Sequence, residues 1–202
     1  MKPEKWQKLA SMVEADHRIF LLRRDVAVSP RTGAELEFIV LESHDWVAVI
    51  ALTTEGRLVL IRQYRHGLGE VTVEVPGGLV EPGMSPEEAA RAELRQETGY
   101  AGGEWAELGH LSVIPAVFTN HLHVFLARGV ELAGELQLDD GEDIVTELVS
   151  LAEAKRMVAS GEIVHAQVVA ALYLYDLWLG ETASAGGASA AAGAPDGLDG
   201  VA

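Results

Sequence analysis

Cysteine is absent from all 202 residues. Disulfides, thiolate chemistry and cysteine-ligated zinc are thereby excluded, and a reducing compartment suits the chain. Basic residues are scarce: 15 Lys and Arg stand against 31 Asp and Glu, for a formal net charge of -16. A nucleic-acid groove or an anionic membrane surface needs clustered Lys and Arg to neutralise phosphate, so neither is expected as a partner. If the chain handles phosphate, a divalent cation has to help. Long apolar runs are missing too. No stretch approaches the run of about 18 apolar residues that spans a membrane, and the N-terminus lacks the apolar core and small-residue cleavage site of a signal peptide. A cytoplasmic location is the expectation. What the composition does supply is 49% hydrophobic residues, enough for one domain core with an attached arm or tail.

Turn residues divide the chain. Residues 17–28 and 35–41 are β-rich runs joined by SPRTGAE, so residues 1–45 read as a small sheet of their own, an arm or dimerisation subdomain. Strands are expected over 46–52 and 58–64 around the turn TTEGR, and a third, VTVEV, runs into PGG. The next helix is fully punctuated, with Ser85 as N-cap, Pro86 at its first position, Glu88 closing a capping box and Gly99 past its end. Strands follow around 105–113, 121–129 and 144–149, and Ser150 with Glu153 repeats the capping pattern for a helix ending at Gly161. A last helix from about Val164 carries Val164, Val168, Leu172, Tyr175 and Leu179 on one face. From Glu181 the composition collapses into Ala, Gly and Ser, and residues 181–202 are expected to be a disordered, functionless tail. No internal repeat is visible. The mixture predicts an α+β or α/β sandwich with helices on both faces of a mixed sheet.

Chemistry concentrates in GGLVEPGMSPEEAARAELRQETGY. Glu93 and Glu97 stand four apart, which puts them on one helix face with Cβ atoms about 5–6 Å apart. Two carboxylates so placed can share a hard divalent cation. Magnesium prefers oxygen ligands, so Glu93 and Glu97, a carbonyl of the glycine loop such as that of Gly77, and substrate phosphate oxygens would complete its shell. The glycines, Gly78 among them, allow backbone to approach a phosphate closely.

This block resembles the Nudix box, G-x5-E-x7-R-E-U-x-E-E-x-G-U with U apolar. Gly78, Glu93, Leu94, Glu97 and Gly99 match it, and Tyr100 takes the last apolar position. Three positions depart: Met84 stands for the first Glu, Ala92 for the Arg and Gln96 for the first Glu of the pair. Gln96 brings no negative charge to a metal, so fewer or weaker ions than in the family are expected. The resemblance covers the chain to about residue 180 and narrows to the branch that cuts ADP-ribose and related nucleoside diphosphate sugars. It implies a Nudix fold over 46–180, a β arm that pairs two subunits into a homodimer, and Mg2+, with Mn2+ able to substitute.

By the same resemblance Arg65, at the end of IRQYRHG, faces the substrate diphosphate, and Glu74, at the head of EVPGG, joins the substrate-binding set with Trp46 and Gly78. The loop LDDGEDI supplies Glu142 as the catalytic glutamate, general base or metal ligand, with Asp140 as helper. Glu81 is a candidate orienting group. Trp46 is a candidate base-stacking platform. Ala116 and Val117 interrupt the turn that ADP-ribose enzymes carry after Pro115, which gives weight to other nucleotide sugars. His121 and His123 alternate on one strand face with no third ligand spaced nearby, and read as surface histidines. Two readings of function stay open: a magnesium-dependent pyrophosphohydrolase of a nucleoside diphosphate sugar, giving a nucleoside monophosphate and a sugar phosphate, and a weakened module that binds such a sugar without turnover. A nucleoside triphosphate-sanitising enzyme is a third, disfavoured by the arm and the late acidic loop.

Overall fold

The computed structural model describes residues 2–139 and 141–191. Among the described residues, ten strands and three helices are arranged as an α/β/α sandwich preceded by a separate β arm. The arm is an antiparallel sheet of β1 (Gln7–Asp16), β2 (Leu21–Val28) and β3 (Glu35–Glu42), in that order. It is tied to the domain at Leu41, whose N–H donates to the Val117 carbonyl at 2.7 Å and whose carbonyl accepts from Thr119 N–H at 3.1 Å.

The central sheet runs β10 (Val145–Val149), β5 (Leu58–Arg65), β4 (Trp46–Thr53), β9 (His121–Leu132), β7 (Tyr100–Ala101), with β6 (Glu70–Glu74) paired to β5 and β8 (Glu104–Ser112) to β9. β4 and β9 are parallel and the other pairs antiparallel, so the sheet is mixed. β4 and β9 lie at its centre, and their near-continuous apolar sequence follows from burial on both faces. Alternate residues go to opposite sides. Ile50, Leu60, Leu122, Val124 and Leu126 pack with α2 (Leu151–Ser160) and α3 (Ala166–Ala191), through Ala154, Met157, Val168 and Leu172. Val47, Val49, Val59, Phe125 and Ala127 pack on the other face with Ala89, Ala90 and Leu94 of α1 (Pro86–Thr98).

The segment between β6 and α1 positions the chemistry. Val49 N–H donates to Pro76 O and Val47 N–H to Gly78 O, each at 2.9 Å, so PGG takes the place of a strand beside the first half of β4. α1 starts as its punctuation predicts, with the full Ser85–Glu88 capping box and a left-handed Gly99 at its end.

Three elements differ from the sequence expectation. The arm begins earlier, because β1 precedes the turn at His17; its side chains are largely exposed, and pairing with β2 rather than an apolar pattern defines it. The last helix starts at Ala166, leaving Val164 55% exposed, while Val168, Leu172 and Tyr175 form the buried face. It also runs to Ala191, into the stretch expected to be disordered from residue 181; alanine, the strongest helix former, carries it on. Residues 192–202 of that stretch lie outside the described residues. Among the described residues no helix is long and apolar enough to cross a membrane.

Candidate active site

α1 sets its two glutamates against the glycine segment. Glu97 is 3% exposed and accepts a hydrogen bond from Gly77 N–H at 2.9 Å. Gly77 thus meets Glu97 through its N–H, which leaves its carbonyl free of that bond. A Cβ there would lie 2.1 Å from the Val47 carbonyl oxygen, so only glycine lets this segment press against β4. At Gly78 an added Cβ would come 2.0 Å from Oε1 of Glu93. Gly78 is the hollow into which the Glu93 carboxylate fits.

Burial pushes the Glu97 carboxyl up to about 8; the Gly77 N–H opposes this, and the charges of Glu93 and Glu142 reinforce it. Burial also pushes Glu93 up to about 7, with further contributions from the charges of Glu142, Glu81 and Asp139. Glu81, Glu93, Glu97, Asp139 and Glu142 thus form one mutually repelling acidic group around the glycine segment. Glu142 sits on the loop before β10, exposed, with its Oε2 accepting from Asp139 N–H at 2.9 Å. Asp140, its expected helper, lies outside the described residues; Asp139 takes part instead. A set of oxygen donors, with Glu97 buried and Glu93 half-buried among like charges, fits a hard divalent cation, which would relieve the repulsion and hold the carboxylates ionised.

The cation beside Glu97 is Arg65. Its Nε and Nη2 each donate at 2.7 Å to the two carboxylate oxygens of Glu74. Burial alone would push Glu74 up, but Arg65 and the Thr72 hydroxyl, 2.6 Å away, hold it below the usual range. Glu74 is 4% exposed and lies beneath Arg65, where it positions the guanidinium. Hydrogen bonding to Glu74 raises the Arg65 pKa against the opposing effect of burial, and the charges of Glu97 and Glu142 add to it. Sequence reasoning missed Thr72 and His165. Thr72 shares a strand face with Glu74, a period-two signal that could have found it. His165 Nε2, 3.9 Å from Glu74 Oε2, comes from the start of α3 and has no local signature. Trp46 packs on Phe118, with ring centroids 5.9 Å apart, and bridges to Leu79. Of the three departures from the motif, Gln96 is exposed and Met84 is 40% exposed, whereas the retained Glu97 is buried.

Residues 42–172 match the model of the NUDIX domain. The chain is 34% identical over 154 residues to an ADP-ribose pyrophosphatase of Mycobacterium tuberculosis, covering 75% of this chain and 74% of that protein. It is 33% identical over 132 residues to an ADP-ribose pyrophosphatase of Bacillus subtilis, covering 65% and 71%. A solved ADP compounds hydrolase superimposes with a TM-score of 0.78 over 90% of this chain and 98% of that one, at 24% identity, and so shares its fold.

Two predictions follow from this geometry. Gly78→Ala displaces only the end of the Glu93 side chain, so we expect the melting temperature to stay within about 4 °C of wild type while any metal-dependent activity falls at least about tenfold; equal activity would show that Glu93 does not need its seat. Between pH 4.5, the ordinary glutamate value, and about 8 the folded metal-free chain keeps protons on Glu93 and Glu97 that the unfolded chain has released. The unfolding free energy therefore falls as pH rises through that window. We expect the melting temperature in EDTA to drop by at least about 5 °C across it, and added Mg2+ to restore stability at the alkaline end; calorimetry at several pH values checks both.

Proposed function

The chain belongs to the Nudix family of pyrophosphohydrolases, and from that premise we propose that it hydrolyses the diphosphate bond of ADP-ribose or a related nucleoside diphosphate sugar, releasing a nucleoside monophosphate and a sugar phosphate. The observation that carries the reading is the pair of carboxylates of buried Glu97 and half-buried Glu93, seated on the glycine segment with Arg65 in electrostatic reach of Glu97. The substrate class rests on the relatives' names, since both pyrophosphatases align over most of their length.

In this reading Glu93, Glu97 and the Gly77 carbonyl would hold Mg2+, for which Mn2+ could substitute, and the ion would supply charge to offset that of the diphosphate. Arg65, held flat by Glu74, presents its remaining N–H groups to the diphosphate oxygens. Gly78 keeps the approach open. Glu142, on its exposed loop, swings from Asp139 N–H to accept the proton of the attacking water. Glu81 and Asp139 add negative charge around Glu93 that would attract the cation. With Gln96 in place of a glutamate, charge for additional ions is reduced, and catalysis rests on the three remaining acids.

We further read the protein as a cytoplasmic homodimer joined through the arm. Met12 is 60% exposed and Ile39 44%, unusually open positions for apolar side chains on a sheet. Met12 and Ile39 both register with Arg24 and so share a face.

The test is direct. Incubated with Mg2+ and a panel of ADP-ribose, ADP-glucose, GDP-mannose and UDP-glucose, the protein is expected to release monophosphate from at least one sugar, and Glu97→Gln to lower kcat at least about tenfold. Silence on every compound with both Mg2+ and Mn2+ would overturn the reading. For the dimer, light scattering should give twice the chain mass for wild type and one chain mass for M12D/I39D; a monomeric wild type would refute it.

A further inference from the structure

We propose that Glu107, His110 and His123 form a second cation site, distinct from the carboxylates of α1 and selective for a borderline first-row ion of the zinc type. One donor atom from each lies within 4.8 Å of the others. The grouping is made by a bulge. Glu107 registers with Phe125 and His110 with His123, so three steps along β8 oppose two along β9, with the irregularity between Glu107 and Gly109. Residues three apart on a regular strand face opposite ways; the extra residue returns Glu107 and His110 to the same side. Gly109 has φ 141°, a conformation that L side chains rarely adopt, so the bulge is built into the sequence at a glycine.

The distances suit shared coordination better than hydrogen bonding. His123 Nδ1 is 3.5 Å and His110 Nδ1 3.9 Å from Oε1 of Glu107. Both exceed the ordinary N–H to O range of about 2.7–3.2 Å, and both are near the separation of about 3.3 Å between two ligands of one tetrahedral zinc with bonds of about 2.0 Å. The opposite nitrogen of His123 is already committed: Nε2 lies 3.1 Å from Oδ2 of Asp45. A proton on Nε2 donated to Asp45 leaves the Nδ1 lone pair facing Glu107, the carboxylate–histidine arrangement that orients metal ligands. Asp45 is itself fixed, its Oδ1 accepting from His121 N–H at 2.8 Å. His123 is only 17% exposed at its side chain, whereas His110 is 63% and Glu107 50% exposed, which leaves an entry path and a fourth position for water. Two imidazoles and one carboxylate favour zinc, nickel or cobalt over magnesium. The expectation that His123 is a surface histidine with no third ligand nearby is corrected: the ligands come from the neighbouring strand.

The experiment uses the full chain with excess Mg2+ present, titrated with Zn2+ by calorimetry and with Co2+ followed by its visible absorption. Wild type and Glu97→Gln are expected to bind one ion per chain, with a tetrahedral Co2+ spectrum. His110→Ala and Glu107→Gln, both exposed changes that the fold tolerates, should weaken binding at least about tenfold, and Asp45→Asn by about 10-fold or more. Absence of saturable binding to wild type, equal affinity in the His110 and Glu107 variants, or loss of the ion in Glu97→Gln would each overturn the proposal. Hydrolysis is not read in any arm, so failure here and failure of the proposed activity are distinguishable.

Discussion

Two glutamates of one helix face are pressed into a glycine segment that excludes water from them, and the acidic site is organised by that enforced burial. A carboxylate transferred from water with one N–H for company is poorly compensated, and each pKa unit of upward shift amounts to about 1.4 kcal/mol. Keeping Glu97 ionised in the absence of a counter-charge therefore costs on the order of a few kcal/mol, a large fraction of a typical domain's stability. Such a cost persists where the buried group has a use. The sandwich makes it bearable: α1 is locked by Ala89, Ala90 and Leu94 against β4 and β9, so the helix cannot roll to expose the two acids without opening one face of the core.

Arg65 and Glu74 follow the opposite logic. Both oxygens of Glu74 are taken by the guanidinium and one also by Thr72, so a buried charge is fully satisfied and its ionised form favoured. The pair delivers a rigid positive group to the rim of an otherwise negative region. In a chain with a net charge of -16, an arginine within reach of Glu97 and Glu142 gains influence because basic residues are scarce.

What was legible in the sequence was what is local. The capping box, the glycine after the helix and the four-residue spacing of Glu93 and Glu97 involve contacts within one turn, and α1 appears with those bounds. The central strands were legible because burial on both faces leaves a continuous apolar run. β1 was not: its exposed residues carry no period that separates strand from coil, and its pairing partner alone defines it. The position of Glu74 under Arg65 depends on β5 and β6 being in register, Arg65 opposite Glu70 and Ile61 opposite Glu74, so the arginine folds back along its neighbour strand, a geometry that spacing does not encode. The cluster at His110 was hidden for the same reason in stronger form, since a bulge reverses the face on which alternation would place Glu107.

The departures from the Nudix pattern can be weighed by where they fall. Gln96 is exposed, and its backbone carbonyl accepts from Gln137 N–H at 2.8 Å, joining the helix to the segment that leads to Asp139 and Glu142. The charge lost at Gln96 is thus lost from the wet side of the helix, where screening makes a carboxylate least effective. The charges kept at Glu93 and Glu97 lie on the side where the glycine segment excludes water and each Coulombic contact is worth most. A site that lacks a carboxylate on its solvated side and has the two that face the glycine segment keeps its acids where they act most strongly, and this is why the geometry favours a working hydrolase over an inert relative of one.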